Sequence, residues 1–514
     1  MSKAHFLWVD DEIDLLKPYV LFLEEKGYSM VCANNGRDAV EICRTALFDI
    51  IFLDEHMPGL SGLETLTQLH ACRPEVPVVM ITKSEDEGIM NQAIGQKITD
   101  YLIKPVNPNQ VLMTIKKILD KKVLVSETTT VNYRDEFNQL SQEIDNCRTA
   151  DDWTALYRKL VYWELELGQT NNPMIEMLAG QKEEANNAFA KFIRRNYEEW
   201  MIDSTTAPLM SPALFERYLF PMLNKGEKIF FILIDNLRLD QWLAVKDVVS
   251  ELFFCDDELY FSILPTATPY ARNALFSGLM PRQIAALYPD LWVGEMEDEG
   301  KNMLEEPLIR HQLERCGMTH HFSYHKINTN REGERLVTRF HELEKRDLNV
   351  WVFNFIDMLS HARTDSKMIR ELTADEDAYR SLTRSWFLHS PLLTLLKMIA
   401  LKGYKAVLTT DHGAIRVKKG VKVLGDKETN VNLRYKLGRS LGYDARELFD
   451  ILHPANFGLP SPNMSTRYIF ATDNDFFVYP NNYNHHVKHY ENSYQHGGIS
   501  MEEMLIPFIT LTPK

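Results

Sequence analysis

The chain has 514 residues, is 45% hydrophobic and 25% charged, and carries a formal net charge of −15. That length gives room for about two to four domains, and so acidic a chain is excluded as a general binder of nucleic-acid backbones, whose affinity comes from Lys and Arg. It contains no apolar window of about 18 residues or more, so no membrane span is expected.

The N-terminus MSKAHFLWVDDEIDLL is charged where a signal peptide needs an apolar core. The six cysteines form no CxxC pair, which suits a reduced, cytoplasmic setting with unpaired thiols.

Residues 1–122 alternate short apolar runs with helical stretches. Strands are expected at His5–Val9, Met30–Ala33, Asp49–Leu53, Val76–Ile81 and Asp100–Ile103, and Asn107–Lys122 reads as an amphipathic closing helix. Such alternation predicts a doubly wound, five-stranded parallel sheet. Ser126–Thr130 is polar and β-branched and reads as a linker. The stretch from Tyr133 to about Trp200 then reads as packed helices, with Trp153, Leu156, Tyr157, Leu160 and Trp163 as core. Residues 123–225 are therefore set apart as a linker and helical bundle, and 226–514 as a larger α/β domain. The polar segment 412–500, with His485, His486 and His489, is expected to be an insertion or lid.

In the first domain the expected strand ends carry Asp10 and Asp11, then Asp54, then Thr82, then Lys104 before Pro105. Carboxylates gathered at one edge need a cation, and oxygen ligands suit Mg²⁺. A lysine beside them can pair with a phosphoryl group. This order resembles a response-regulator receiver domain. The resemblance implies Asp10, Asp11 and Asp54 around Mg²⁺ and Asp54, in LDEHMPGLSGLE, as phosphoacceptor. It also implies Thr82 and Tyr101 as switch residues and Lys104 at the phosphate. Phosphorylation by a histidine kinase and dimerisation follow from the same resemblance. Nothing after residue 122 reads as a dedicated DNA-binding domain.

In the last domain three apolar runs each lead to an aspartate. Lys228–Ile234 leads to Asp235, Val350–Ile356 to Asp357 with His361 four residues on, and Lys405–Thr410 to Asp411 and His412. Such runs read as parallel strands buried on both faces, whose carboxyl ends collect ligands. His496, in QHGG, adds a sixth group. Mixed His and Asp ligation suits Zn²⁺, and six groups suit two ions roughly 4 Å apart, as in phosphoester chemistry. Thr266 and Thr268, in LPTATPYARNALFSG, precede a helical stretch and offer a hydroxyl nucleophile. Arg272 and Asn273, one turn on, are candidates to hold phosphate oxygens. A basic run of Arg434, Lys436 and Arg439 in the expected insertion could meet further negative charge.

The order D, TxT, DxxxH, DH, H resembles the alkaline phosphatase superfamily, and within it the PglZ branch, over about residues 226–514. The resemblance implies one zinc held by Asp235, Asp411 and His412 with Thr268 as bridging nucleophile, and a second held by Asp357, His361 and His496. No extra magnesium-binding acid is evident in the sequence. Two zincs against three aspartates leave a modest positive charge, which suits the single charge of a phosphodiester such as a nucleotide or oligonucleotide. Receiver, helical middle and PglZ-like domain together resemble regulators of type IX protein secretion. That implies a PorY-like sensor histidine kinase, a sigma factor and a secretion-machinery component as partners. The expectation is thus a response regulator whose phosphorylation promotes a homodimer and controls a zinc phosphodiesterase. The alternative is a non-catalytic signalling adaptor with structural zinc.

Overall fold

The computed structural model describes residues 4–73, 76–83, 98–168, 172–203, 205–294, 303–426 and 429–514. It divides into two compact units, Met1–Asn132 and Tyr133–Lys514.

The first unit is built on β1 (His5–Val9), β2 (Ser29–Ala33), β3 (Ile50–Asp54), β4 (Val78–Thr82) and β5 (Asp100–Ile103). All pair in parallel, in the order β2–β1–β3–β4–β5. Alternate residues serve opposite faces. Leu7, Val9, Ile51 and Leu53 enter one core, and Phe6, Trp8, Ile50 and Phe52 the other. Burial on both sides is why these strands read as unbroken apolar runs. The helical stretch expected between β4 and β5 lies outside the described residues. The closing helix extends from Pro108 to Asn146, so the expected linker Ser126–Thr130 is helical.

The second unit joins the helical middle to the α/β domain. Trp153, on the helix Ala150–Gly168, packs on Phe189 of the helix Ile175–Ile202. Phe189 and Trp200 in turn pack on Phe261. Phe261 ends β7 (Phe253–Phe261), a strand of the main sheet, so the middle helices share that sheet's core. They do not form a separate body. Trp153, Leu156, Tyr157, Leu160 and Trp163 are all buried, as expected.

Besides β7 the main sheet holds β6 (Ile229–Ile234), β8 (Phe322–Ile327), β9 (Leu348–Phe353), β10 (Lys405–Thr409) and β18 (Leu505–Pro513). The order is β7–β18–β10–β6–β9–β8. The four strands from β10 to β8 are parallel, and β18 and β7 complete the sheet by antiparallel pairing. The carboxyl ends of β10, β6 and β9 therefore lie side by side.

One expected boundary shifts. The run ending at Ile356 leaves β9 at Phe353, and Phe355–Asp365 is a helix. Phe355 stacks on Trp386 at 4.7 Å, so the apolar run serves two elements. Asp357 thus sits in the first turn of that helix, not at a strand end. His361, four residues on, shares its face.

The segment 412–500 is not a loose lid. It forms small paired strands: β11 (Ile415–Arg416) with β17 (Tyr494–Gln495), β12 (Lys419–Lys422) with β16 (Asp475–Val478), and β13 (Tyr435–Gly438) and β14 (Phe449–Ile451) with β15 (Arg467–Phe470). Arg434 and Lys436 are buried, which corrects their reading as an exposed basic run. Arg434 donates to both oxygens of Glu503, at 3.2 and 2.6 Å, and Lys436 to the Asn430 carbonyl at 2.8 Å.

Asp473, in the same segment, is a half-buried acid under stress. Its Oδ1 is enclosed without a hydrogen-bond partner. Burial, with Glu502 and Glu183 nearby, pushes its carboxyl up to about 7. An unfolded aspartate titrates near 3.9. Between about pH 4 and pH 7 the folded chain therefore holds a proton that the unfolded chain has released, and stability falls as pH rises through that window. Asp473→Asn should remove this fall. It should exceed the parent by about 2–4 kcal/mol at pH 8 and match it near pH 4. Thermal unfolding at both values checks this, and an equal difference at both would contradict it.

Candidate functional site

At the carboxyl edge of the first sheet, Asp10 follows β1, Asp54 ends β3, Thr82 ends β4 and Lys104 follows β5. Asp10 and Asp54 are buried while Asp11 is exposed. One carboxylate oxygen from each of the three lies within 4.8 Å of the others. Lys104 Nζ donates to Asp10 at 2.7 Å and to Asp54 at 2.9 Å. Burial alone would lower its pKa, but these two bonds outweigh it and the pKa is raised. Burial likewise raises the Asp54 carboxyl, against the pull of Lys104. Asp54 Oδ1 has no partner. An acceptor left bare between two other carboxylates fits a hard cation such as Mg²⁺. Tyr101 lies half-buried on β5, and the Lys104–Pro105 bond is cis.

The second unit brings two ligand groups together at the ends of β10, β6 and β9. Asp235, Asp411 and His412 form one, and Asp357, His361 and His496 the other; within each, ligand atoms lie within 4.8 Å. The groups adjoin through the His412 and His496 rings, stacked at 4.2 Å. The first group is closed from solvent, whereas the side chain of His361 is 65% exposed. The second group is therefore the more open to solvent.

Backbone carbonyls set the tautomers of both inner histidines. His412 Nδ1 meets the Gly413 carbonyl at 3.1 Å, and His496 Nδ1 meets the Thr266 carbonyl at 3.1 Å. Each Nδ1 donates, which leaves each Nε2 with its lone pair turned to the carboxylates. His412 Nε2 lies 3.8 Å from Asp235 Oδ1, and His496 Nε2 lies 3.6 Å from Asp357 Oδ1. Burial, and then His496, lowers the His412 pKa to about 3, so the ring is neutral. Burial also raises the Asp235 carboxyl, although Arg272 opposes it. Asp235 Oδ1 is enclosed without a hydrogen-bond partner. Imidazole nitrogens beside a bare carboxylate oxygen are a donor set that fits zinc.

His496 reaches the site because glycine follows it. Gly497 has φ +119, and a Cβ on Gly498 would lie 2.5 Å from the Ala471 carbonyl. Glu503, paired with Arg434, accepts the Gly498 N–H at 2.8 Å and fixes that loop.

The two threonines separate by their bonds. Thr266 Oγ1 donates to the Gly498 carbonyl at 2.9 Å and accepts the Gly497 N–H at 3.0 Å. Both its roles are taken by backbone. Thr268, first residue of the helix Thr268–Ser277, points its Oγ1 at His412 Nε2, 3.0 Å away. Two ligands of one ion would face a common point in this way.

Arg272 is not where a phosphate could reach it, which corrects the expected role. It is 1% exposed, and its guanidinium lies against Asp235, Asp411 and Glu305. Asn273 is buried too, with its amide donating to the Pro269 carbonyl at 2.8 Å. Asn236 and Glu305 are site neighbours that sequence reasoning missed. Asn236, at φ 65, extends its amide to Asp357 and Ser360, 3.3 Å from each. A signal for it existed, since Asn tolerates the left-handed turn that a strand-end Asp-Asn pair suggests. Glu305 opens a distant helix and had none.

Three family models match successive parts of the chain. A receiver-domain model of response regulators matches residues 6–116. A model described as the PorX response regulator linker domain matches residues 123–201. One described as the BREX system PglZ alkaline phosphatase-like domain matches residues 214–511, more than half of the chain. The chain belongs to the PglZ family. Receiver, linker and PglZ domain in this order match a PorX-like response regulator with a PglZ effector.

Curated relatives align over the N-terminal part. The transcriptional regulatory protein ResD of Bacillus subtilis is 30% identical over 159 residues, covering 30% of this chain and 65% of that protein. The transcriptional regulatory protein ZraR of Escherichia coli K12 is 33% identical over 118 residues, covering 23% and 27%. The chain thus spans less than two thirds of the length of these relatives. Among solved structures, a CheY-like receiver domain from Methanospirillum hungatei is 28% identical, with a TM-score of 0.23, covering 23% of this chain and 96% of that one. CheY4 of Vibrio cholerae is 29% identical, with a TM-score of 0.22, covering 23% and 98%. In the described residues no helix is long and apolar enough to cross a membrane.

The threonine geometry makes a direct prediction. Thr266→Val should destabilise the metal-free protein by about 1–3 kcal/mol, because it strands the Gly497 N–H and the Gly498 carbonyl. Thr268→Val should leave that melting temperature nearly unchanged. Differential scanning calorimetry after chelation checks both, and equal effects would contradict the assignment.

Proposed function

We propose that the chain is a response regulator whose PglZ domain is a zinc-dependent phosphodiesterase, under control of phosphorylation at Asp54. The observation that carries this reading is Thr268 Oγ1 at 3.0 Å from His412 Nε2, beside two adjoining ligand groups. Asp235, Asp411 and His412 would hold one zinc, and Asp357, His361 and His496 the other. Such ions, when bound, lower the pKa of a coordinated hydroxyl and stabilise charge on phosphate oxygens.

The chain's own residues supply the remainder. Thr268 Oγ1 forms a bond to phosphorus, the ester bond to the leaving group breaks, and the threonine proton passes to the leaving oxygen, which departs as an alcohol. Water then cleaves the phosphothreonine bond and restores the hydroxyl. The closed first group excludes solvent from the nucleophile, while the exposed His361 side leaves room for a diester with two substituents. Nucleotides and oligonucleotides are the substrate class that this charge balance favours. A sensor histidine kinase of the PorY kind would phosphorylate Asp54, and Lys104 would shift from Asp54 to the phosphoryl oxygens. Homodimerisation on phosphorylation, contact with a sigma factor, and control of type IX secretion belong to the same reading.

Purified full-length protein should turn over bis(p-nitrophenyl) phosphate, and Thr268→Ala should lower kcat on the order of a thousandfold or more. Zinc bound without turnover of any diester would contradict the enzyme and favour the adaptor. Gel filtration with a phosphoryl mimic should show a dimer, and an unchanged monomer would contradict the switch.

A further inference from the structure

Three buried carboxylates converge on the guanidinium of Arg272. Asp235, Asp411 and Glu305 are 3%, 0% and 1% exposed, and Arg272 is 1% exposed. Its Nε donates to Asp411 Oδ2 at 2.9 Å, its Nη1 lies 3.5 Å from Glu305 Oε1, and its Nη2 lies against Asp235 Oδ2. Lys326 Nζ, 23% exposed, pairs with the same Glu305 oxygen at 2.9 Å. Asp235 and Asp411 come from the neighbouring strands β6 and β10. Glu305 comes from the first turn of the helix Glu305–Arg315, and contributes to neither ligand group.

A residue needed only to neutralise two aspartates would not call for a third buried acid. Each enclosed carboxylate is costly without a partner, yet this nest gathers three acids on one enclosed guanidinium, with only Lys326, at its more exposed rim, as a second cation. An all-oxygen nest is the donor set of a hard divalent ion, which keeps part of its water. A planar fork reaches several carboxylates at once, whereas an ammonium is a point charge.

We propose that Arg272 is a built-in substitute for a divalent cation, and that it positions Asp235 and Asp411 for the metal centre beside them. It holds Asp235 by Oδ2 and so leaves Oδ1 bare, 3.8 Å from His412 Nε2. Arg272 is thus a positioning residue with no contact to substrate. Because its charge cannot dissociate, this part of the site is set at any magnesium concentration. The proposal rests on the reading of Asp235, Asp411 and His412 as a metal site, and not on diester hydrolysis.

The test counts metal in the full chain. Wild type, R272A and R272K are stripped with chelator, then dialysed against limiting zinc with and without millimolar magnesium. Wild type should hold the same zinc in both. Without magnesium, R272A should bind zinc at the Asp235, Asp411 and His412 group about 10–100-fold more weakly, the usual effect of losing a partner that orients a ligand. With magnesium it should recover zinc and hold one more Mg²⁺ per chain than wild type. The wild-type count corrects for Mg²⁺ in the receiver. R272K, which keeps the charge but loses the fork, should lose zinc affinity and gain no magnesium. Should R272A fail to fold, R272K alone decides. Zinc affinity equal to wild type in either variant, or no added magnesium in folded R272A, would overturn the proposal. Wild type with less than one zinc per chain would instead defeat the metal reading itself, and the magnesium count in R272A would still be read separately.

Discussion

Crowded carboxylates at the open edge of a parallel sheet are the constraint on which both units depend. Two such charges about 4 Å apart repel by about 4 kcal/mol at an effective dielectric constant of 20. Apolar strands pay nothing for ending side by side, but the aspartates that follow them do, and every nearby cation is arranged around that cost. In the first unit the answer is Lys104, donating to Asp10 and Asp54. In the second it is Arg272, lying between Asp235 and Asp411. Each leaves one aspartate oxygen bare, Asp54 Oδ1 and Asp235 Oδ1. That bare oxygen is what turns a neutralised cluster into a ligand set.

Much of this was legible in the sequence because it rides on short-range pattern. An unbroken apolar run marks a strand buried on both faces, and its carboxyl end names the next polar residue. β1 and β5 match the expected spans, and the six histidine and aspartate side chains lie together in the two expected groups. Where the pattern served two elements it misled. Phe355 and Ile356 continue the apolar run of β9 but belong to a helix, since Phe355 stacks on Trp386, 31 residues on. The chemistry of Arg272 was out of reach for a different reason. A guanidinium one turn past a nucleophile looks the same in sequence whether it faces solvent or three buried acids, and Glu305 gave no sign of its position. Arg434 and Lys436 misled likewise, because burial depends on partners such as Glu503 that lie far along the chain.

The helical middle also changes meaning once its contacts are known. Phe189 and Trp200 join the core at β7, and Asn186 accepts the Met501 N–H at 2.8 Å while its amide meets Glu502 at 3.0 Å. Those residues continue directly into Glu503, which holds the His496 loop. A regulator that acts through the middle helices therefore has a short physical route to His496, made of packed side chains and buried hydrogen bonds.

Everything chemical in this account depends on metal ions at the two histidine–aspartate groups. Anomalous diffraction from crystals of the full-length protein, recorded on both sides of the zinc edge, tests that most directly. The account predicts two zinc peaks per chain, one within bonding distance of Asp235, Asp411 and His412 and one of Asp357, His361 and His496, with Thr268 Oγ1 at the first. A single peak, no peak, or zinc bound elsewhere with Thr268 turned away would contradict it.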